Sequence, residues 1–277
     1  MQIILDMSLA EYFNRLGIRA GQHLILHAAY RQIRGAFPGY RIEFFLQMLM
    51  NQVGDDGSLI MPSFTYNFRR KGYPDMRFDR DKSPSHVGAV SETFRSMPGV
   101  IRTSGPTHSF CLWGRAAAEI SAENSPASPL GAGSALEWLA GQSLGFVTMI
   151  GVNFTAFSFG HYLENAAPVP WHDVSPWEHL KVEPVGLHIG SEQHLVELPG
   201  CSQSFVRFEK YLLDHGYIKP VKEGALRAYH IPVGVLLEQG IPFYRDQPQE
   251  LLCEPGACPA CDERWTFFLK SLKDLKK

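Results

Sequence analysis

A chain of 277 residues with 45% hydrophobic residues is long enough to bury a full α/β core. Its 26 basic and 28 acidic residues nearly cancel, to a net charge of −2, which argues against a nucleic-acid-binding surface. No apolar run approaches the roughly 20 residues of a membrane span, and the N-terminus, with Asp6 and Glu11, does not read as a signal peptide. Five cysteines, an odd number, suit a reducing compartment, so a cytoplasmic location is expected with no nucleic-acid or membrane partner.

Residues 8–20 read as an amphipathic helix capped by Ser8, with Leu9, Tyr12, Phe13 and Leu16 on one stripe and Gly17 near its end. His23 to His27 is a short buried strand, followed after Pro38-Gly39 by a helix over 42–52. Asp55-Asp56-Gly57 turns the chain into a second strand, Ser58 to Pro62. Helix 89–97, strand 109–113, helices 115–122 and 134–140, and strand 144–150 continue the rhythm. A hairpin at the sheet edge is expected in 182–198, then helix 203–215, strands near 226–230 and 233–236, and a closing helix over 262–275. The fold class is therefore α/β: a three-layer α/β/α sandwich with a central mixed sheet, in a single domain whose Cys-rich segment lies in 250–277.

Four groups of residues invite chemistry. The turn Ser83-Pro84-Ser85-His86-Val87-Gly88 feeds a helix, where unpaired N–H groups and the helix dipole favour an anion. Pro106-Thr107-His108-Ser109 sets an imidazole between two hydroxyls. His27 ends the first strand, and Met61 to Tyr66 ends the second with hydroxyls; ligands of open α/β sheets bind at such strand ends. His161 and Glu164, three apart on a helix, share a face, and a carboxylate beside an imidazole suits a general base.

Taken in order, Leu26-His27, Met61 to Tyr66, Ser83-Pro84-Ser85 with Gly88, Glu92 to Arg95, Pro106 to Ser109, Gly131-x-Gly133-Ser134 and Gly151-Val152 with His161 and Glu164 resemble the aminoglycoside 3-N-acetyltransferase family, over roughly residues 20–165. The resemblance implies an acetyl-coenzyme A-dependent N-acetyltransferase that passes the acetyl group directly to an amine. It implies His161 as base supported by Glu164, with His108 as the other candidate base or a supporting partner. Coenzyme contacts would come from His27, Ala28 and Ala29 and from Ser83, Ser85, Val87 and Gly88, with Thr107 and Ser109 as donors near the thioester. The chain departs from the family at Ala28-Ala29, where two serines are usual, at Phe157-Ser158, where Asn-Thr is usual, and at Gly160, where a bulkier apolar residue is usual. These departures keep open a catalytically silent protein that binds coenzyme A or a sugar.

The acceptor is a small-molecule amine. Tyr66 and the basic run Phe68-Arg69-Arg70-Lys71 would contact it, and Arg69 and Arg70 suit phosphate better than a polycationic antibiotic. A nucleotide-linked amino sugar of glycan or natural-product biosynthesis is thus the first expectation and an aminoglycoside the second. Aromatic residues in 154–159 and 171–177 would cover the site or meet a partner in a homodimer. Separately, Cys253, Cys258 and Cys261 have near-zinc spacing, with Cys201 or His172 as a fourth ligand of a structural zinc; plant-type iron–sulfur sites share the spacing.

Overall fold

The computed structural model describes residues 8–171, 178, 180–196 and 200–274. Helix α1 (Leu9–Leu16) starts on a reciprocal cap: the Ser8 hydroxyl accepts from Glu11 N–H, and the Glu11 carboxylate accepts from Ser8 N–H at 2.7 Å. Strand β1 (His23–Ala28) is followed by α2 (Tyr30–Ala36) and α3 (Ile42–Val53), then β2 (Ser58–Pro62) and the short β3 (Phe68–Arg70). Helix α4 (Ala89–Arg95), β4 (Ile101–Arg102), β5 (Phe110–Gly114), α5 (Arg115–Glu119), α6 (Ala135–Ala140) and β6 (Gly145–Ile150) come next. The chain continues through α7 (Phe159–Ala166), β7 (Val182–His188), β8 (Ser191–His194), α8 (Val206–Asp214), β9 (Val221–Glu223), β10 (Leu226–Pro232), α9 (Val233–Asp246) and α10 (Pro259–Asp274).

Seven strands form a mixed sheet in the order β4-β5-β2-β1-β6-β10-β9. The centre is parallel, with β1 between β2 and β6; the outer pairs are antiparallel. Alternation along the strands divides the core into two layers. Leu24, Leu26, Leu59, Met61 and Ala228 join the layer under α1, α3 and α4, whereas Ile25, Ile60, Val147, Tyr229 and Ile231 face α6, α7, α8 and α9. Each fully buried Leu, Ile or Phe in these layers contributes about 1.5–3 kcal/mol. The sheet is thus covered on both faces, as the three-layer expectation required.

Three expectations need correction. The β7–β8 hairpin is not an edge of the main sheet: it pairs with β3 in a separate three-stranded sheet. Its Gly186 lies so close to the Pro106 ring that a Cβ would not fit there. Residues 233–236 are the first turn of α9 rather than a strand, because Pro232 ends β10 and presets the entry to the helix. Helix α2 was not anticipated at all. Phe154, Phe157 and Phe159 are fully buried in the core, so they do not form a partner-facing surface; residues 172–177 lie outside the described residues. Among the described residues, no helix is long and apolar enough to cross a membrane.

Candidate active site

The parallel strands β1, β2 and β6 end together where the strand order reverses, and a cavity of about 430 Å3 opens there. His27 and Ala28 from β1, Pro62 from β2, and Phe64, Tyr66 and Arg70 from the following segment line it. His108, Phe157, Ser158 and His161 close the other side. Tyr66 holds a left-handed φ of 55°, a strained conformation for a non-glycine residue, and its ring stands edge-on to His108.

His161 sits in the first turn of α7, buried but reaching the cavity. Its Nδ1 lies 3.2 Å from Glu164 Oε2. The other carboxylate oxygen, Oε1, accepts from Trp171 Nε1–H at 2.8 Å and from Arg264 Nη1 at 2.7 Å. Burial by itself would raise the Glu164 pKa, but Arg264, His161 and the Trp171 N–H together outweigh it and hold the carboxyl at about 2. Glu164 is therefore an acceptor only, which makes Nδ1 of His161 the donor of their hydrogen bond.

The other two histidines are neutral. Burial, with a smaller push from His161, lowers His108 to about 3, and burial lowers His27 to about 4. His108 Nδ1 is 2.9 Å from Thr107 Oγ1, and its ring packs against Phe64, Tyr66 and Phe68. His27 Nε2 is 3.2 Å from Ser158 Oγ, so the serine of the unusual Phe157-Ser158 pair has a definite partner. The Phe205 and Phe157 rings explain Gly160: a Cβ there would lie 2.6 Å from the first and 2.8 Å from the second, and the Phe205 ring also packs at a tilt against His161, 4.9 Å between centroids.

Not every expected residue reaches the cavity. Ser109 donates to Ser63 O and accepts from Arg102 Nε, so its hydroxyl belongs to a buried network behind the site. Thr107 is fully buried behind His108, and Ala29 is absent from the cavity wall. Of the turn before α4, only Val87 lines the cavity. Ser83 accepts from Asp79 N–H, Ser85 N–H donates to Glu92 Oε2 at 2.7 Å, and Gly88, at φ 117°, precedes the first turn of α4. A carboxylate therefore already serves part of the turn that looked open to an anion.

Arg69 of the basic run, and Arg77 and Arg80 beyond it, are neutralised. Arg69 pairs with Glu183 and Glu192, Arg77 with Glu192 and Asp75, and Arg80 with Glu123 and Asp81. Arg69 is thus a strut of the small sheet; Arg70 alone of the two reaches the cavity mouth. Arg264 was missed because it lies 100 residues from Glu164, on a helix with no local sign of the site. The cysteines gather too: Cys253, Cys258 and Cys261 are joined by Cys201, with all four sulfurs within 4.8 Å of one another. His172, the other candidate ligand, lies outside the described residues.

Comparison with known proteins agrees with this architecture. Residues 25–241 match the sequence model of the aminoglycoside 3-N-acetyltransferase family. Aminoglycoside N(3)-acetyltransferase III of Pseudomonas aeruginosa is 28% identical over 181 residues; the match covers 57% of this chain and 63% of that enzyme. The crystal structure of aminoglycoside acetyltransferase AAC(3)-IVa superposes with a TM-score of 0.74 at 24% identity, over 93% of this chain and 95% of that one. The AAC-IIIb binary complex with CoASH gives 0.66 at 19% identity, over 85% and 94%. With more than half of its length matched, this chain belongs to the aminoglycoside 3-N-acetyltransferase family.

Proposed function

We propose that this protein is an N-acetyltransferase that uses acetyl-coenzyme A to acetylate an amine of an aminoglycoside. The observation that carries the reading is the His161–Glu164–Arg264 chain, which leaves a basic Nε2 at the cavity wall. The family match favours an aminoglycoside over the biosynthetic amino sugar suggested by the basic run, whose Arg69 is paired with Glu183 and Glu192. Leu26, Met61, Phe64, Val87 and Leu130 give the cavity an apolar wall that fits an acyl-pantetheine arm.

The sugar amine is mostly protonated in solution and loses one proton to water before it reacts; as its freed lone pair attacks the thioester carbonyl, His161 Nε2 takes a second proton from the nitrogen. The C–N bond forms, the C–S bond breaks, and the His161 imidazolium returns its proton to the departing sulfur, so coenzyme A leaves as the thiol. Glu164 fixes the tautomer and stabilises the imidazolium that results. Neutral His108, too weak a base at about 3 to compete for that proton, offers N–H donation to charge building on the carbonyl oxygen. Arg264 and Trp171 keep Glu164 ionised and oriented.

A second reading has one observation in its favour. Among the described residues lining the cavity there is no Asp or Glu, while Arg70 stands at the mouth. This suits an acceptor with fewer positive charges, such as a nucleotide-linked amino sugar. Thiol release from acetyl-coenzyme A, measured against panels of both acceptor classes, tests the two. Turnover with aminoglycosides supports the proposal, turnover with nucleotide sugars alone replaces it with the second reading, and no turnover with either, despite coenzyme binding, points to a silent binding protein.

A further inference from the structure

We propose that Cys201, Cys253, Cys258 and Cys261 hold one structural zinc ion, and that this ion seats α10 so that Arg264 meets Glu164. The four sulfurs lie within 4.8 Å of one another, and Cys201 Sγ is 3.5 Å from Cys253 Sγ. A tetrahedral zinc with Zn–S bonds of about 2.3 Å needs S···S edges of about 3.8 Å, so the cluster is close to that size before any ion draws it in. None of these cysteines is in a disulfide. Four sulfur donors leave no open position, which marks a structural rather than a catalytic site.

The surrounding backbone is shaped for the same purpose. Gly256, at φ 82°, turns the chain between Cys253 and Cys258, and its N–H is held by Asp262 Oδ1 at 2.7 Å. Trp265 Nε1–H donates to Cys253 O at 2.8 Å, and Gln203 N–H points at Cys201 Sγ, 3.4 Å away. An N–H directed at sulfur favours a thiolate, the form that binds metal. Iron accepts the same four sulfurs; zinc is assigned because acyl transfer, the reading above, moves no electrons.

The link to the active site is geometric. Cys261 and Arg264 are three residues apart on α10 and so share a face. On the opposite side, Gly200, next to Cys201, lies against the Arg264 guanidinium with no room for a Cβ. One ion bonded to Cys201 and Cys261 therefore ties together the two segments between which Arg264 is clamped.

The test begins with elemental analysis of wild-type protein purified without chelator, which needs neither a variant nor an acceptor substrate. One zinc per chain, released by a mercurial thiol reagent and replaceable by Co(II) with the visible bands of a tetrahedral thiolate site, is the expected result. Metal-free protein with four reactive thiols, or iron in place of zinc, overturns the assignment. After zinc release, amide hydrogen exchange in α10 should accelerate on the order of tenfold or more. Unchanged exchange in α10 after release overturns the seating role, whatever the activity assays above report.

Discussion

Replacing Arg264 by methionine tests the core of the site most directly. Arg264 and Glu164 are 4% and 5% exposed, so the substitution leaves a buried carboxylate with only Trp171 and His161 as partners. Removing one member of a buried pair costs about 3–5 kcal/mol, a large part of a typical ~5–15 kcal/mol stability. The pH dependence is more specific. Glu164 titrates at about 2 in the folded chain against an ordinary 4.5. At ~1.4 kcal/mol per pKa unit, this contributes about 3 kcal/mol above the ordinary value, lost as the pH falls towards 2. Without Arg264 the first of the causes that lower the carboxyl is gone and its pKa moves up, so the variant loses less stability in acid than the wild type does. Urea unfolding of both proteins at neutral pH and near pH 3.5 measures the difference. The stability gap should narrow by at least about 1 kcal/mol on acidification. A gap that stays constant within about 0.5 kcal/mol would refute the claim that Arg264 holds Glu164 ionised.

Other substitutions reach the remaining parts of the site. His161→Ala should lower kcat on the order of 10²–10⁴-fold. Coenzyme A affinity by calorimetry should stay near wild type; equal loss of both would deny His161 a role as base. His108→Phe, which suits the surrounding rings, should lower kcat on the order of 10²-fold if the imidazole donates to the oxyanion. It should also remove an acid sensitivity. A histidine at about 3 when folded and 6.5 when unfolded gives up stability as the pH drops below 6.5, which amounts to about 2 kcal/mol by pH 5. Unfolding curves in that range that match the wild-type slope would contradict the assignment. Gly160→Leu should cost ~1–3 kcal/mol through collision with the Phe205 and Phe157 rings, and Phe205→Ala in the same chain should recover part of it. Absence of recovery in Tm would show that the Phe205 ring is not an obstacle.

The central strands were readable because β1, β2 and β6 are short continuous apolar runs bounded by turn residues. Helix α1 announced itself through Ser8, Glu11 and Gly17. Helix α2 did not: Ala29 provides no side-chain cap, Gly35 lies within it, and Ile33 is its one buried residue. The run Val233 to Leu237 has no polar spacing with which to tell a strand from a helix, so its helical state comes from packing. The β7–β8 hairpin was local and legible, but its partner β3 lies more than a hundred residues earlier, beyond any window of sequence. The site divides in the same way. His161 and Glu164 share a turn of helix and were visible as a pair. Arg264 was not, and the choice between Cys201 and His172 could not be made from spacing alone. Ser109 misled because its neighbour His108 lines the cavity while its own side chain faces the Arg102 network.

The distance of 100 residues between Glu164 and Arg264 also has a meaning in time. A ribosome adding ~5–20 residues per second needs roughly 5–20 s to travel from one to the other. During that interval the nascent chain already contains β1, β2, β6 and α7, yet its key carboxylate has no guanidinium to neutralise it. Until α10 arrives, only His161 and Trp171 are at hand to meet that carboxylate. The Glu164–Arg264 pair can therefore close only after α10 has been made.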